Sequence, residues 1–198
     1  VVPVADVLAD LQQQFEAVAT SRNLALTIAP TSLCLRTDRI LFRQVLQNLL
    51  NNALQYTREG GVTVSFGEDA TGFSIRIADT GVGIPAPELD RVFDEYYRLD
   101  ATGPRPRGFG LGLTIVRQIS RLLGYTVKVE SELGRGTTFA LHVPARHLVA
   151  TPVAADVQPG PRRARPDVPK PAVLIVEDDA AVRDALDLVL SLEGYPTW

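Results

Sequence analysis

Asp79-Thr-Gly-Val-Gly-Ile84 is followed, a lid's length later, by Gly108-Phe-Gly-Leu-Gly-Leu113, and everything else in the chain is read around these two stretches. In the first, an acidic residue at a strand end precedes glycines spaced by one. Glycine has no Cβ and takes positive φ freely, so a flat ring can approach such a backbone closely. The second runs straight into an apolar helix, whose free N–H groups and positive dipole end favour phosphate. One loop reads as a base pocket and the other as a phosphate cradle.

Composition narrows the classes. The chain has 198 residues, enough for one ordinary domain and something smaller. Its 45% hydrophobic and 22% charged content is that of a globular protein. A net charge of -3 leaves no basic footprint for nucleic acid. The single Cys34 excludes an internal disulfide framework and suits a reducing, cytoplasmic compartment. No apolar run reaches the roughly 20 residues of a membrane helix, so no membrane contact is expected of this piece. No signal peptide is legible, and the absence of Met, even at position 1, reads as a piece of a longer protein.

Working outward, Val4, Val7, Leu8, Leu11, Phe15 and Val18 recur at helical spacing. Leu24–Ala29 and Leu33–Arg36 read as two strands around Pro30. Thr37 or Asp38 caps a helix to about Tyr56, with Ile40, Leu41, Val45, Leu46, Leu49, Leu50, Ala53 and Leu54 as its apolar set. Val62–Phe66 and Phe73–Ile77 alternate as a hairpin, and Pro85 and Pro87 open a short helix through Phe93. Leu111–Leu123 is a helix stopped by Gly124, and strands at Thr126–Ser131 and Thr137–Val143 close the domain. The expected class is α/β: a two-layer sandwich, with a mixed sheet backed by helices. This domain is expected over residues 1–147. A Pro/Arg-rich linker over 148–171 follows, and a βα piece over 172–198.

Three groups of residues carry chemistry. Asn48 and Asn52 share one helix face, and an amide oxygen is a neutral hard ligand suited to Mg²⁺ that also holds phosphate; the same pair also suits a solvated face. Asp79 can accept from the exocyclic amine of adenine, or can simply begin an Asp-Thr-Gly turn, and Gly81 and Gly83 share that ambiguity. Gly108, Gly110 and Gly112 suit a phosphate loop or a hinge, with Arg105 and Arg107 placed to reach phosphate or stay solvated.

Five boxes in order carry a resemblance: Asn48-Leu-Leu-Asn-Asn52-Ala53, Asp79-Thr-Gly-Val-Gly-Ile84, Phe93-Asp-Glu-Tyr-Tyr97-Arg98, Gly108-Phe-Gly-Leu-Gly112 and Gly134-Arg-Gly-Thr-Thr-Phe139. Together they resemble the N, G1, F, G2 and G3 boxes of bacterial sensor histidine kinases, over roughly residues 1–145. The resemblance implies the GHKL (Bergerat-type) ATP-binding fold, with ATP and Mg²⁺ as cofactors. It makes Asn52 the Mg²⁺ ligand assisted by Asn48, and sets Asp79 on the adenine amine and Tyr56 along the base. Gly81, Gly83 and Ile84 then shape the pocket. Gly108, Gly110, Leu111, Gly112 and Leu113 lie along the phosphates, Phe93 and Tyr97 anchor the near end of the lid, and Thr137 with Gly134 and Gly136 forms a turn beside the pocket. A lysine common in the family three residues after the magnesium asparagine is here Gln55. Arg58, Arg105 or Arg107 stand as substitutes.

In related gyrase and chaperone ATPases a glutamate four residues before that asparagine activates water. Here the place holds Asn48, which is no general base at neutral pH. Transfer to a partner's histidine is therefore expected rather than hydrolysis. The partner implied is a histidine-bearing dimerisation domain of the same parent, a homodimer. His142 and His147 do not lie in the helical acidic setting such an acceptor has. Val173-Leu-Ile-Val176, with Glu177 and Asp178, resembles the start of a response-regulator receiver domain and its Mg²⁺ site, truncated before the phosphoryl-accepting aspartate. That makes the parent a hybrid kinase. A non-catalytic nucleotide-binding module and an anti-sigma-type serine kinase are the alternatives.

Overall fold

The computed structural model describes residues 1–97 and 111–149, without the side chain of Asp69. The expected linker beyond Val149, the receiver-like piece with Glu177 and Asp178, and Arg105, Arg107, Gly108 and Gly110 lie outside these residues.

Three helices cover one face of a five-stranded sheet. In chain order the elements are β1 (Val2–Pro3), α1 (Val4–Ser21), β2 (Ala25–Ile28), β3 (Cys34–Leu35) and α2 (Arg39–Tyr56). They continue with β4 (Gly61–Asp69), β5 (Gly72–Asp79), α3 (Gly112–Leu123), β6 (Thr126–Glu132), β7 (Gly136–Pro144) and β8 (Leu148–Val149). The main sheet has the order β2-β4-β5-β7-β6. Its β2–β4 pair is parallel and the others are antiparallel, so the sheet is mixed as expected. The short β1, β3 and β8 make a second, antiparallel sheet. That pairing carries the sandwich to Val149, two residues past the expected boundary.

Local sequence explains most of the element ends. The Asp38 carboxylate accepts from the amides of Ile40 and Leu41 at 2.8 and 2.9 Å and so caps α2. Pro3 gives α1 no side-chain cap; instead the Val4 amide donates to the Leu33 carbonyl, 2.9 Å away. Gly124 ends α3 in the left-handed region at φ 73°, where a residue without Cβ is least strained. The helix expected from Pro85 to Phe93 is instead two 3-10 turns, Ala86–Glu88 and Arg91–Phe93. Two prolines remove two amide donors from so short a segment, and its bonds close at i→i+3, as from the Glu88 amide to the Pro85 carbonyl.

The core lies between the helices and the sheet. Helix α2 contributes Phe42, Val45, Leu46, Leu49, Leu50, Ala53 and Leu54. They meet Val62 and Val64 of β4, Ile75 and Ile77 of β5, and Phe139 and Leu141 of β7 in one cluster. Truncating a buried Phe such as Phe42 costs about 3–5 kcal/mol. Two apolar expectations are corrected: Ile40 is 76% exposed and Val18 44%, while Phe42 and Ala19 are buried.

Candidate nucleotide site

The site is built on the ends of β5, β7 and α2 and the start of α3. Asp79 is the last residue of β5 and is buried. Its Oδ1 accepts from the Gly81 amide at 2.8 Å and from the Thr137 amide at 3.2 Å. Burial raises its carboxyl above the ordinary value of 3.8, and the two backbone hydrogen bonds oppose that rise. With Oδ1 taken, Oδ2 is the atom left to accept from a ligand.

The glycines fit because side chains would collide with backbone. A Cβ at Gly81 would stand 2.5 Å from the Tyr56 carbonyl oxygen. The Val82 amide donates to that same oxygen at 3.3 Å, so the loop after Asp79 is seated on the C-terminal end of α2. Gly83 has φ 71°, and a Cβ there would fall 2.1 Å from the Glu132 carbonyl oxygen. Thr80 ties the loop from outside: its hydroxyl donates to Glu59 and accepts from the Gly61 amide. Ile84 is buried, and its amide donates to Ser131 Oγ at 2.8 Å.

Asn48 and Asn52 are half-buried on one face of α2, and among the described residues no side chain holds either amide. Gly112 opens α3, and a Cβ there would come within 3.9 Å of Asn48 Oδ1. Leu111 provides no side-chain cap, and among the described residues no side chain takes the first N–H groups of α3, which can serve an external acceptor beside Asn48. Leu113 is half-buried on the same turn. The structure thus brings Asn48 and Gly112 together, and separately Tyr56, Asp79, Gly81 and Thr137.

Phe93 and Tyr97 are held firmly. The Phe93 ring meets Phe139 edge to face at 6.2 Å. Tyr97 hydrogen-bonds through its hydroxyl to Glu88, and the Arg91 guanidinium lies 4.4 Å over its ring. Sequence reasoning missed Thr114, whose hydroxyl donates to the Phe93 carbonyl, and Ser131, which meets Ile84, Gly136 and Thr137. The Thr114–Phe93 and Ser131–Ile84 bonds join residues 21 and 47 apart in the chain, and no local pattern signals them. It also missed Arg22, whose guanidinium reaches the carbonyls of Leu54, Gln55 and Thr57 and caps α2. That cation is spent on the helix end and does not replace the missing lysine.

Residues 37–147 match the family described as histidine kinase-, DNA gyrase B- and HSP90-like ATPase. The chain belongs to this ATPase family. It is 36% identical over 181 residues to the aerobic respiration control sensor protein ArcB of Escherichia coli strain K12, covering 86% of this chain and 22% of that one. It is 40% identical over 134 residues to histidine protein kinase DivJ of Caulobacter vibrioides, covering 67% of this chain and 22% of that one. Among solved structures, full-length ShkA in complex with AMPPNP superposes with a TM-score of 0.65 at 27% identity, covering 100% of this chain and 40% of ShkA. The chain spans about a fifth of the length of the curated relatives it matches. Its mixed sheet against helices is the GHKL-type ATP-binding fold, and the described residues form the ATP-binding catalytic domain of a sensor histidine kinase. Among them no helix is long and apolar enough to cross a membrane.

Proposed function

We propose that this domain transfers the γ-phosphate of Mg-ATP to a histidine on a separate helical dimerisation domain, as one step of two-component signalling. The observation that carries the reading is Asn48, beside the start of α3 where the phosphates are to lie. A hydrolytic site needs a base there to activate water, and an amide cannot take that proton. What remains is positioning and charge, which suffice for phosphoryl transfer to a nucleophile brought from outside.

Each residue has a defined task in this reading. Asp79 Oδ2 accepts from the adenine amine, and Tyr56 lies along the base. Gly81, Gly83 and Ile84 let the ring approach the backbone. Gly112 and the amides after it, with Leu111, Leu113, Gly108, Gly110, Arg105 and Arg107, serve the phosphates, while Tyr97 steadies the near side. The amide oxygens of Asn48 and Asn52 suit Mg²⁺ as neutral hard donors. Mg²⁺ bound there would neutralise charge on the phosphate oxygens. His142 makes its contact with Thr71, and its β7 position pairs with Ser74 and Thr126, away from Asp79. His147 lies against the Tyr125 ring and the Arg36 carbonyl. Neither faces the site, so the acceptor comes from another domain.

A receiver domain after residue 171 extends the proposal to a hybrid kinase. The ArcB match covers 86% of this chain, a longer stretch than the 149 residues through β8, which supports a tail shared with that relative. Glu177 and Asp178 would then begin a second Mg²⁺ site, and a cytoplasmic location follows from the need for ATP. The test is incubation of the chain with γ-labelled Mg-ATP and a histidine-bearing helical domain supplied in trans. Acid-labile, base-stable label on that domain supports the proposal. Release of free phosphate with no label on the partner overturns it.

A further inference from the structure

We propose that Ser131 sets the base selectivity of the nucleotide pocket by fixing the direction in which the Thr137 hydroxyl donates. Ser131, Thr137 and Asp79 lie in one transverse row across β6, β7 and β5. Ser131 Oγ is 2.8 Å from the Ile84 amide, 2.8 Å from the Gly136 carbonyl oxygen and 2.9 Å from Thr137 Oγ1. An amide N–H only donates and a carbonyl only accepts. The single Ser131 proton therefore goes to Gly136, because otherwise two lone pairs would face each other at 2.8 Å. One Ser131 lone pair takes the Ile84 N–H, and the other is open only to a donor. Thr137 must then donate its proton to Ser131 and turn its own lone pairs away.

The consequence reaches the ligand. Thr137 is 7% exposed, and its amide already serves Asp79 Oδ1. With its hydroxyl proton committed to Ser131, Thr137 offers the pocket acceptors only, as does the Asp79 carboxylate beside it. A base with an amine at position 6 supplies donors to such a lining. A base with a carbonyl there brings lone pair against lone pair, a mismatch left unpaired on burial. Without the Ser131 hydroxyl, Thr137 is free to rotate and donate, and the carbonyl base is tolerated. Ser131 touches no ligand in this account; it is a positioning residue, and the inference rests on the ATP-site reading of Asp79 and Thr137.

The test uses the whole chain and two isosteres, Ser131→Thr and Ser131→Val, with Mg-ATP and Mg-ITP binding measured by calorimetry. Wild type is expected to prefer ATP, Ser131→Thr to keep that preference, and Ser131→Val to lose about tenfold of the ITP-to-ATP Kd ratio. A general loosening would weaken both nucleotides alike and leave the ratio unchanged, which would overturn the proposal. Should Ser131→Val not fold, Thr137→Val removes the oriented hydroxyl itself, and an undiminished ratio there is equally fatal. Failure of the wild-type chain to bind Mg-ATP at all would instead sink the nucleotide-site reading, and this inference with it.

Discussion

The hydroxyl of Thr114 on α3 donates to the Phe93 carbonyl across 3.1 Å, joining two residues that are 21 apart in the chain. Both are buried, and Phe93 is itself packed on Phe139 of β7. The start of α3, next to Asn48, is thereby referred to the sheet through one side-chain bond.

Replacing Thr114 by Val keeps the shape and leaves the Phe93 carbonyl buried without that donor. We expect a stability loss of about 1–3 kcal/mol, read by urea denaturation. A Thr114→Ser variant, which retains the hydroxyl, should recover most of it. A Thr114→Val variant as stable as wild type, with the loss confined to Thr114→Ser, would show that the methyl matters and the bond does not.

Asp79 carries a pH signature. Its folded-state pKa is raised above the ordinary 3.8, so the folded domain holds the proton more tightly than the unfolded chain. The contribution of Asp79 to stability is therefore full below that ordinary value and is lost as pH rises through the raised folded value. Asp79→Asn removes this dependence. Its amide oxygen can still accept from Gly81 and Thr137, but in the proposed reading its NH₂ would face the adenine amine, donor against donor. We expect melting at neutral pH no lower than wild type, with ATP affinity reduced by about a hundredfold or more. A variant that binds ATP normally would remove Asp79 from the base pocket.

The turn between β6 and β7 separates two costs of a side chain. Gly134 has φ 79° and open space around it, so Gly134→Ala should cost about 1–2 kcal/mol of backbone strain alone. Gly136 has φ 105°, and a Cβ there would meet the Asp79 carbonyl oxygen at 1.9 Å. Gly136→Ala should lower the melting temperature much further and weaken ATP binding, because it pushes β7 off the strand that carries Asp79. Similar melting shifts in the two variants would contradict this.

Asn52→Ala addresses the cation. ATP binding measured with and without Mg²⁺ should differ in wild type and converge in the variant, while melting stays within about 1 kcal/mol of wild type, since Asn52 is half-buried and unshared. Persistence of the full Mg²⁺ effect would exclude Asn52 as a ligand.

Much of this domain was legible because its signals are local. Asp38 before an apolar periodic run, Gly124 after one, and the alternation in β4 and β5 each fix an element within a few residues. The errors have physical causes. The buried set of α2 steps back from Val45 by three to Phe42, so Ile40 falls off the stripe. There the helix faces α1 through Arg39 and Asp10, which pair at 2.8 Å on the surface. Asp79 and its glycines could be read as a loop that a ring approaches. Which atoms of Asp79 were taken, and by whom, could not. Thr137 is 58 residues away, and Ser131 acts across strands through a proton that no spacing encodes.

Helix α3 is fastened at both ends. Thr114 holds its first turn to Phe93, and at the other end the Arg146 guanidinium donates to the Gly124 carbonyl at 3.2 Å. Twelve residues of helix between such clamps form a strut about 18 Å long. One end of that helix is thus tied to the residues beside the β5–β7 core, and the other to the turn that leads into β8.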